Sequence, residues 1–170
     1  VLEIQTTTGN TKAMNKYIAR FCQSRQLRLD VHEGNLYVTK GNAALYPCIV
    51  AHTDTVHDIV DSFKIYNNDG MYYAMDTERV KQVGTGGDDK VGVYLALKLI
   101  DKYDHIKAVF FRDEGSGCEG SKLAQMNFFD CCAFVMQADR NGRKDVISED
   151  WSNALYSDAF SKHIAPIVKK

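Results

Sequence analysis

The sequence has no excess of charge of either sign: 21 Lys and Arg stand against 22 Asp and Glu, a formal net charge of −1. Without a basic patch interleaved with aromatics, it gives no reason to expect nucleic acid as a partner, and Lys169-Lys170 is too short to act as a basic tail on an anionic membrane. No apolar run approaches the ~20 residues that a membrane span requires. The start carries no charged-then-apolar leader, so the expected location is the cytoplasm. Cysteine is sparse: five residues, an odd number, none arranged as C-x-x-C. That argues against a disulfide framework and for a reduced compartment. Cys131 and Cys132 read as small apolar residues inside a hydrophobic stretch. With only two prolines there is no Pro/Gly-rich linker, and no repeat or low-complexity tract divides the chain. One domain over residues 1–170 is expected.

What is present is an apolar fraction of 45%, enough for a sizeable core. Helical spacing over residues 10–25 puts Met14, Tyr17, Ile18 and Phe21 on one face. Alternation in 27–31 and 35–38 around Glu33-Gly34 predicts a hairpin, and 63–66 and 71–75 around Asn67-Asn68-Asp69-Gly70 predict a second. The continuous apolar run 48–51 suits a strand buried on both faces, as do 106–111 and 133–137. Helices are expected over 91–100, opening just after Asp88-Asp89 where carboxylates favour a helix N-terminus, over 121–126, and over 154–170. Strands alternating with helices predict an α/β fold, a three-layer αβα arrangement around a mainly parallel, mixed sheet.

Ligands of such sheets bind beyond the carboxyl ends of the strands. The polar clusters fall there: His52-Thr53-Asp54, Arg112-Asp113-Glu114 and Asp139-Arg140 each follow a strand, and Asp88-Asp89 opens the intervening helix. A lone histidine after a strand is ordinarily a polar loop residue, and an aspartate before a helix is ordinarily a cap. Together, a histidine and separate carboxylates form the donor set of an open catalytic zinc site.

Ala51-His52-Thr53-Asp54-Thr55-Val56 resembles the H-x-D-T-V motif of the co-catalytic zinc exopeptidases, the superfamily of peptidase T, carboxypeptidase G and the bacterial leucyl aminopeptidases. Gly84-Thr85-Gly86-Gly87-Asp88-Asp89-Lys90-Val91-Gly92 resembles their G-x-x-D-D-K-x-G motif, and the stretch from Asp113-Glu114 to Gly120-Ser121 their D-E-E-x-G-x-x-G-S motif, in the same order. The resemblance runs from about residue 47 to 145. It implies an exopeptidase acting on small peptides, with zinc held by His52, Asp88 and Asp139. Asp54 would fix the His52 tautomer, and Glu114 would be the general base. Many members carry a lid domain soon after the third ligand. Here residues 141–150 lead straight to the last predicted helix, so no lid is expected.

Gly115 departs from the pattern, because the family places there a second glutamate that binds a second metal. Shifting the register to recover it would misplace Ser116, whereas the unshifted register aligns Gly117, Gly120 and Ser121. A histidine that the family supplies to the second metal has no evident counterpart. His163 reads as a surface residue, and His57, Cys118 and Glu119 are the nearest substitutes. The chain starts at Val1 and its last helix runs to the final residue, so both ends read as cut. A fragment of a longer enzyme and a single-metal or non-catalytic variant acting as a metal-binding or interaction domain both remain open. So does an N-acyl amino acid deacylase, which would use the same residues. Oligomeric state is not legible. A phosphate-binding reading of residues 84–90 fails, since two aspartates precede the lysine and the P-loop spacing is absent.

Overall fold

A computed structural model describes residues 1–142, 146–150 and 153–168. The chain forms two compact units, Val1–Asp139 and Arg140–Lys170.

The first unit is built on a five-stranded mixed sheet. Helix α1 (Lys12–Ser24) is followed by the hairpin β1 (Arg28–His32) and β2 (Asn35–Lys40). Its two-residue turn, Glu33-Gly34, has positive φ at both positions, 50° and 78°, the backbone that a tight hairpin with right-handed strand twist requires. Strand β3 (Tyr46–His52) leads to a separate antiparallel sheet of β4 (Phe63–Asn68), β5 (Met71–Asp76) and β6 (Lys81–Val83). Helix α2 (Gly87–Lys102), strand β7 (Ile106–Phe111), the short helix α3 (Glu119–Lys122) and strand β8 (Cys132–Gln137) complete the unit. The sheet order is β1-β2-β7-β3-β8. The β7-β3-β8 portion is parallel, with His52 level with Phe111, while β2 joins β7 antiparallel. Parallel neighbours need crossovers, and α2 and the α3 segment supply them.

Helices cover both faces of the sheet. On one, Met14, Ile18 and Cys22 of α1 and Val93, Ala96, Leu97 and Ile100 of α2 pack on Leu36, Val38, Ile49, Ala51, Ala108 and Phe110. On the other, Tyr37, Cys48, Val50 and Val109 lie under Phe128 and Phe129, which belong to a 3-10 turn at Met126–Phe129. The expected α/β layering is therefore present.

Four local expectations need correction. On α1 the buried stripe is Met14, Ile18 and Cys22, whereas Tyr17 is exposed and Phe21 stays at the margin, its ring under the Arg25 guanidinium. The helix expected over 121–126 is instead α3 and the later 3-10 turn. Strand β8 has β3 as its one described neighbour, so Phe134, Val135 and Met136 are exposed rather than buried.

The fourth lies in the second unit. There β9 (Glu149–Asp150) pairs antiparallel with β10 (Asn153–Ala154), and α4 (Asp158–Val168) follows. The helix expected from residue 154 thus begins four residues later. Ser157 explains its start: the Ser157 hydroxyl accepts the Phe160 N–H at 3.2 Å, an N-cap bond that satisfies an orphan donor of the first turn. Lys169 and Lys170, the expected end of that helix, and Asp145, the expected end of the motif region, lie outside the described residues. No helix among the described residues is long and apolar enough to cross a membrane.

Candidate metal centre

The carboxyl ends of β3 and β8 and the first turn of α2 converge. His52 is the last residue of β3 and is 5% exposed. Its Nε2 lies 2.8 Å from Asp88 Oδ1 and 3.9 Å from Asp139 Oδ2, two residues past β8. One donor atom from each of the three lies within 4.8 Å of the other two. No other such group of three occurs among the described residues.

The backbone at the start of α2 explains why adjacent aspartates do different jobs. Asp88 and Asp89 depart from helical φ/ψ, joined by a cis peptide bond. The Asp88 side chain stays exposed beside His52. Asp89 is buried, and its carboxylate accepts the His52 backbone N–H at 3.1 Å and the Gly92 N–H at 2.9 Å. A Cβ at position 92 would stand 2.2 Å from Asp89 Oδ1, so only glycine fits there. Lys90 is buried too, and its ammonium donates to the carbonyls of Leu2 and Thr85 at 3.2 and 3.0 Å. Burial lowers its pKa to about 8. The Asp-Asp-Lys-x-Gly sequence is thus one candidate ligand followed by three residues that lock the turn behind it.

Asp54 braces the imidazole from the other side, its Oδ1 3.3 Å from His52 Nδ1. Oδ1 also accepts the Glu114 N–H at 2.9 Å, and Oδ2 accepts the Gly115 N–H at 3.1 Å and the Thr8 hydroxyl at 2.9 Å. Burial works to raise the Asp54 pKa, yet the bonds from His52, Glu114, Gly115 and Thr8 hold it well below the usual carboxylate range. Burial likewise opposes an imidazolium, but hydrogen bonds to Asp54 and Asp88 outweigh it and lift His52 to about 9. Burial and then the charge of Asp139 push Asp89 up to about 7. Burial and neighbouring Asp88 raise Asp139. Carboxylates crowded around one imidazole form a negative pocket, which a bound dication would relieve.

Glu114 opens a 3-10 turn at Glu114–Ser116 and shares with His52, Phe111, Cys118, Ser121 and Gln137 a cavity of about 240 Å³. Its neighbour Asp113 is committed elsewhere, to the Arg112 guanidinium at 2.5 Å and the Gly9 N–H at 2.7 Å. Of the two neighbouring carboxylates, Glu114 is the one that lines the cavity. Of the substitutes for a second glutamate, only Cys118 lines this cavity, its Sγ 3.8 Å from Glu114 Oε1. Glu119 pairs with Lys122, and the His57 ring lies against Gly84. His163 is exposed on α4.

Sequence reasoning missed Thr8 and Gln137, whose amide donates to Asp139 Oδ2 at 2.9 Å, and gave no role of their own to Asp89 and Gly92. Gly92 was within reach, as the last letter of the motif; Thr8 carried no local signal.

No protein-family profile matches the chain, and no curated protein matches its sequence. Solved structures match its fold. A tripeptidase from Staphylococcus aureus superposes with a TM-score of 0.67 at 22% identity, covering 84% of this chain and 41% of its own. An aminopeptidase PepT from Bacillus cereus gives 0.67 at 16% identity with the same coverages. The TET1 peptidase of Pyrococcus horikoshii, which can assemble into a tetrahedron or a large octahedral shell, gives 0.62 at 13% identity, covering 98% of this chain and 78% of its own. The chain spans about two fifths of the length of the first two. Its mixed sheet with helices on both faces is the fold it shares with these peptidases over the matched region.

Proposed function

We propose that the chain is the metal-binding part of a cytoplasmic exopeptidase that hydrolyses a terminal peptide bond of a small peptide. In this reading residues 1–170 belong to one catalytic domain. One zinc ion is held by His52, Asp88 and Asp139, and Glu114 is the general base. The observation that carries the reading is the convergence of His52 Nε2, Asp88 and Asp139 from three separate elements, with Asp54 fixing the opposite ring nitrogen.

Nitrogen and carboxylate donors suit zinc. The bound ion would supply Lewis acidity, polarising the scissile carbonyl and acidifying water toward a pKa of ~7. The remaining work belongs to side chains. Asp54 holds Nδ1 so that Nε2 presents its lone pair to the ion. Glu114 takes the proton of the attacking water and returns it to the departing amine. The cavity beside Glu114 receives the residue next to the scissile bond.

A second metal position does not fit the residues present. Gly115 offers no donor, and a side chain there would collide with Thr8 before reaching the cavity, since its Cβ would stand 2.8 Å from Thr8 Oγ1. That observation favours, as a second reading, a single-metal variant serving as a metal-binding domain.

Elemental analysis of metal-saturated, desalted protein tests the assignment. One zinc per chain is expected, lost in Asp88→Ala. No stoichiometric zinc in the wild type would sink the assignment, and two would show that another group replaces the missing glutamate. Turnover of short peptides by the zinc-loaded protein separates the peptidase from the binding domain.

The titration of His52 gives a further expectation. With its pKa raised to about 9, the ring is protonated at pH 7 and must lose that proton to bind metal. Zinc affinity should therefore climb about tenfold per pH unit from 7 to 9 and then level off. A calorimetric titration at several pH values reads the slope, and a flat profile across that window would contradict it.

A further inference from the structure

The N-terminal segment is clasped to the loop that follows β3. The Thr8 N–H donates to the Thr55 carbonyl at 3.2 Å, and the Thr55 hydroxyl to the Thr6 carbonyl at 2.6 Å. One residue on, the Gly9 N–H reaches Asp113 Oδ1 at 2.7 Å, beside the turn that bears Glu114. Between these anchors the Thr8 hydroxyl touches both halves of the site. It donates to Asp54 Oδ2 at 2.9 Å, and it stands 2.8 Å from the place a Cβ on Gly115 would occupy. Any other residue at 115 would push Thr8 off Asp54; the next contacts of such a Cβ, Asp54 Oδ2 and Val56, are ordinary ones at 3.5 Å.

We infer that Thr8 is a positioning residue of the metal centre, and that the Thr8 hydroxyl and the bare face of Gly115 are a matched pair setting the plane of the Asp54 carboxylate. The inference rests on the metal-centre reading above. Asp54 has one oxygen occupied by His52 and the Glu114 N–H, and the other by the Gly115 N–H and Thr8. Donors on both oxygens hold a carboxylate plane; with Thr8 gone, Oδ2 keeps only the Gly115 N–H, and the plane is held less firmly. His52 Nδ1 then has a looser partner, and Nε2 a less sharply set aim at the ion. Groups that orient a metal-binding histidine in this way are worth about 10–100-fold in metal affinity. The departure at Gly115 thus has a positive role: it makes room for a residue from the far end of the chain.

Zinc affinity measured by competition with a chromophoric chelator tests this on the full chain, with the thermal midpoint of the metal-free protein recorded beside it. Thr8→Val, which keeps the shape and removes the hydroxyl, should weaken zinc about tenfold or more, while Thr8→Ser should hold near wild type. Gly115→Ala should weaken zinc by displacing Thr8, yet add nothing in a Thr8→Ala background, a non-additivity expected of contacting residues. This cycle keeps the test open if Thr8→Val folds poorly. Equal zinc affinity in Thr8→Val and wild type would overturn the inference. So would equal losses in Thr8→Val and Thr8→Ser, or a full Gly115→Ala effect in both backgrounds. A wild type that binds no zinc would instead remove the metal centre itself.

Discussion

Glu114→Gln should abolish nearly all peptide hydrolysis while leaving the zinc content unchanged, a fall in kcat of about 10²–10⁴-fold. Glutamine matches the size of glutamate but cannot take a proton, so the substitution separates proton transfer from shape. Glu114 lies outside the group formed by His52, Asp88 and Asp139; its charge is felt by Asp139, but its hydrogen bond to the brace runs through its backbone N–H, which bonds Asp54 and survives the change. Folding, zinc occupancy and the Asp54 brace should therefore match the wild type. The measurements are the zinc-to-protein ratio and steady-state rates on a short peptide. If both forms turn over at the same rate, Glu114 is not the base. If Glu114→Gln loses its zinc, Glu114 is itself a ligand and the centre has been drawn wrongly.

The elements that carry this chemistry were legible because their signals are local. Residues 48–51, 106–111 and 91–100 announce two buried strands and a helix through continuous or periodic apolar runs. Once they are placed, parallel-sheet topology sends His52, Asp88 and Asp139 to one sheet edge. The Glu33-Gly34 hairpin was equally plain, since its turn needs positive φ at two successive residues. Strand β6 was not, because three residues with a polar pattern gain their identity only by pairing with β5. The exposure of β8 escaped for a related reason: Phe134, Val135 and Met136 read as core, and only the sheet order shows that they sit on an edge strand. A helix was expected over 154–170, and the Ser157 cap moved its start.

The supports of the site were hidden by distance along the chain. Thr8 meets Asp54 across 46 positions, and Gly9 meets Asp113 across 104. No periodicity in Thr6-Thr7-Thr8-Gly9 marks a role, because those residues are neither core nor cap. Asp89 shows the converse. Its place in a motif was plain, but adjacency to Asp88 gave no way to tell the proposed ligand from the buried brace. That division comes from the non-helical turn at the head of α2, which buries one carboxylate under the His52 and Gly92 amides and leaves the other exposed.

The sharpest separation of ligand from brace is Asp54→Asn, which should lower zinc affinity about 10–100-fold without touching a proposed ligand. The Asp54 carboxylate faces the Glu114 and Gly115 amides, the Thr8 hydroxyl and His52 Nδ1, so both of its oxygens are in use. Asparagine has one acceptor oxygen and one donor NH₂. Placed with its oxygen toward Glu114 and His52, it turns its NH₂ onto the Gly115 amide and Thr8. Flipped, it directs that NH₂ at Nδ1 and favours the tautomer with its proton on Nε2, the atom that must bind metal. Each orientation leaves a part-buried donor unsatisfied, which costs about 1–3 kcal/mol. The metal-free protein should therefore also lose stability, in contrast to Glu114→Gln. The lost charge adds to the effect, since Asp54 helps hold the His52 pKa near 9, and its removal should bring that pKa down. Histidine NMR on the metal-free protein reads the titration, and chelator competition reads the affinity. If zinc binding is unchanged while the His52 titration falls, Asp54 governs the proton on the ring but not the metal, and the bracing role assigned to it would have to be withdrawn.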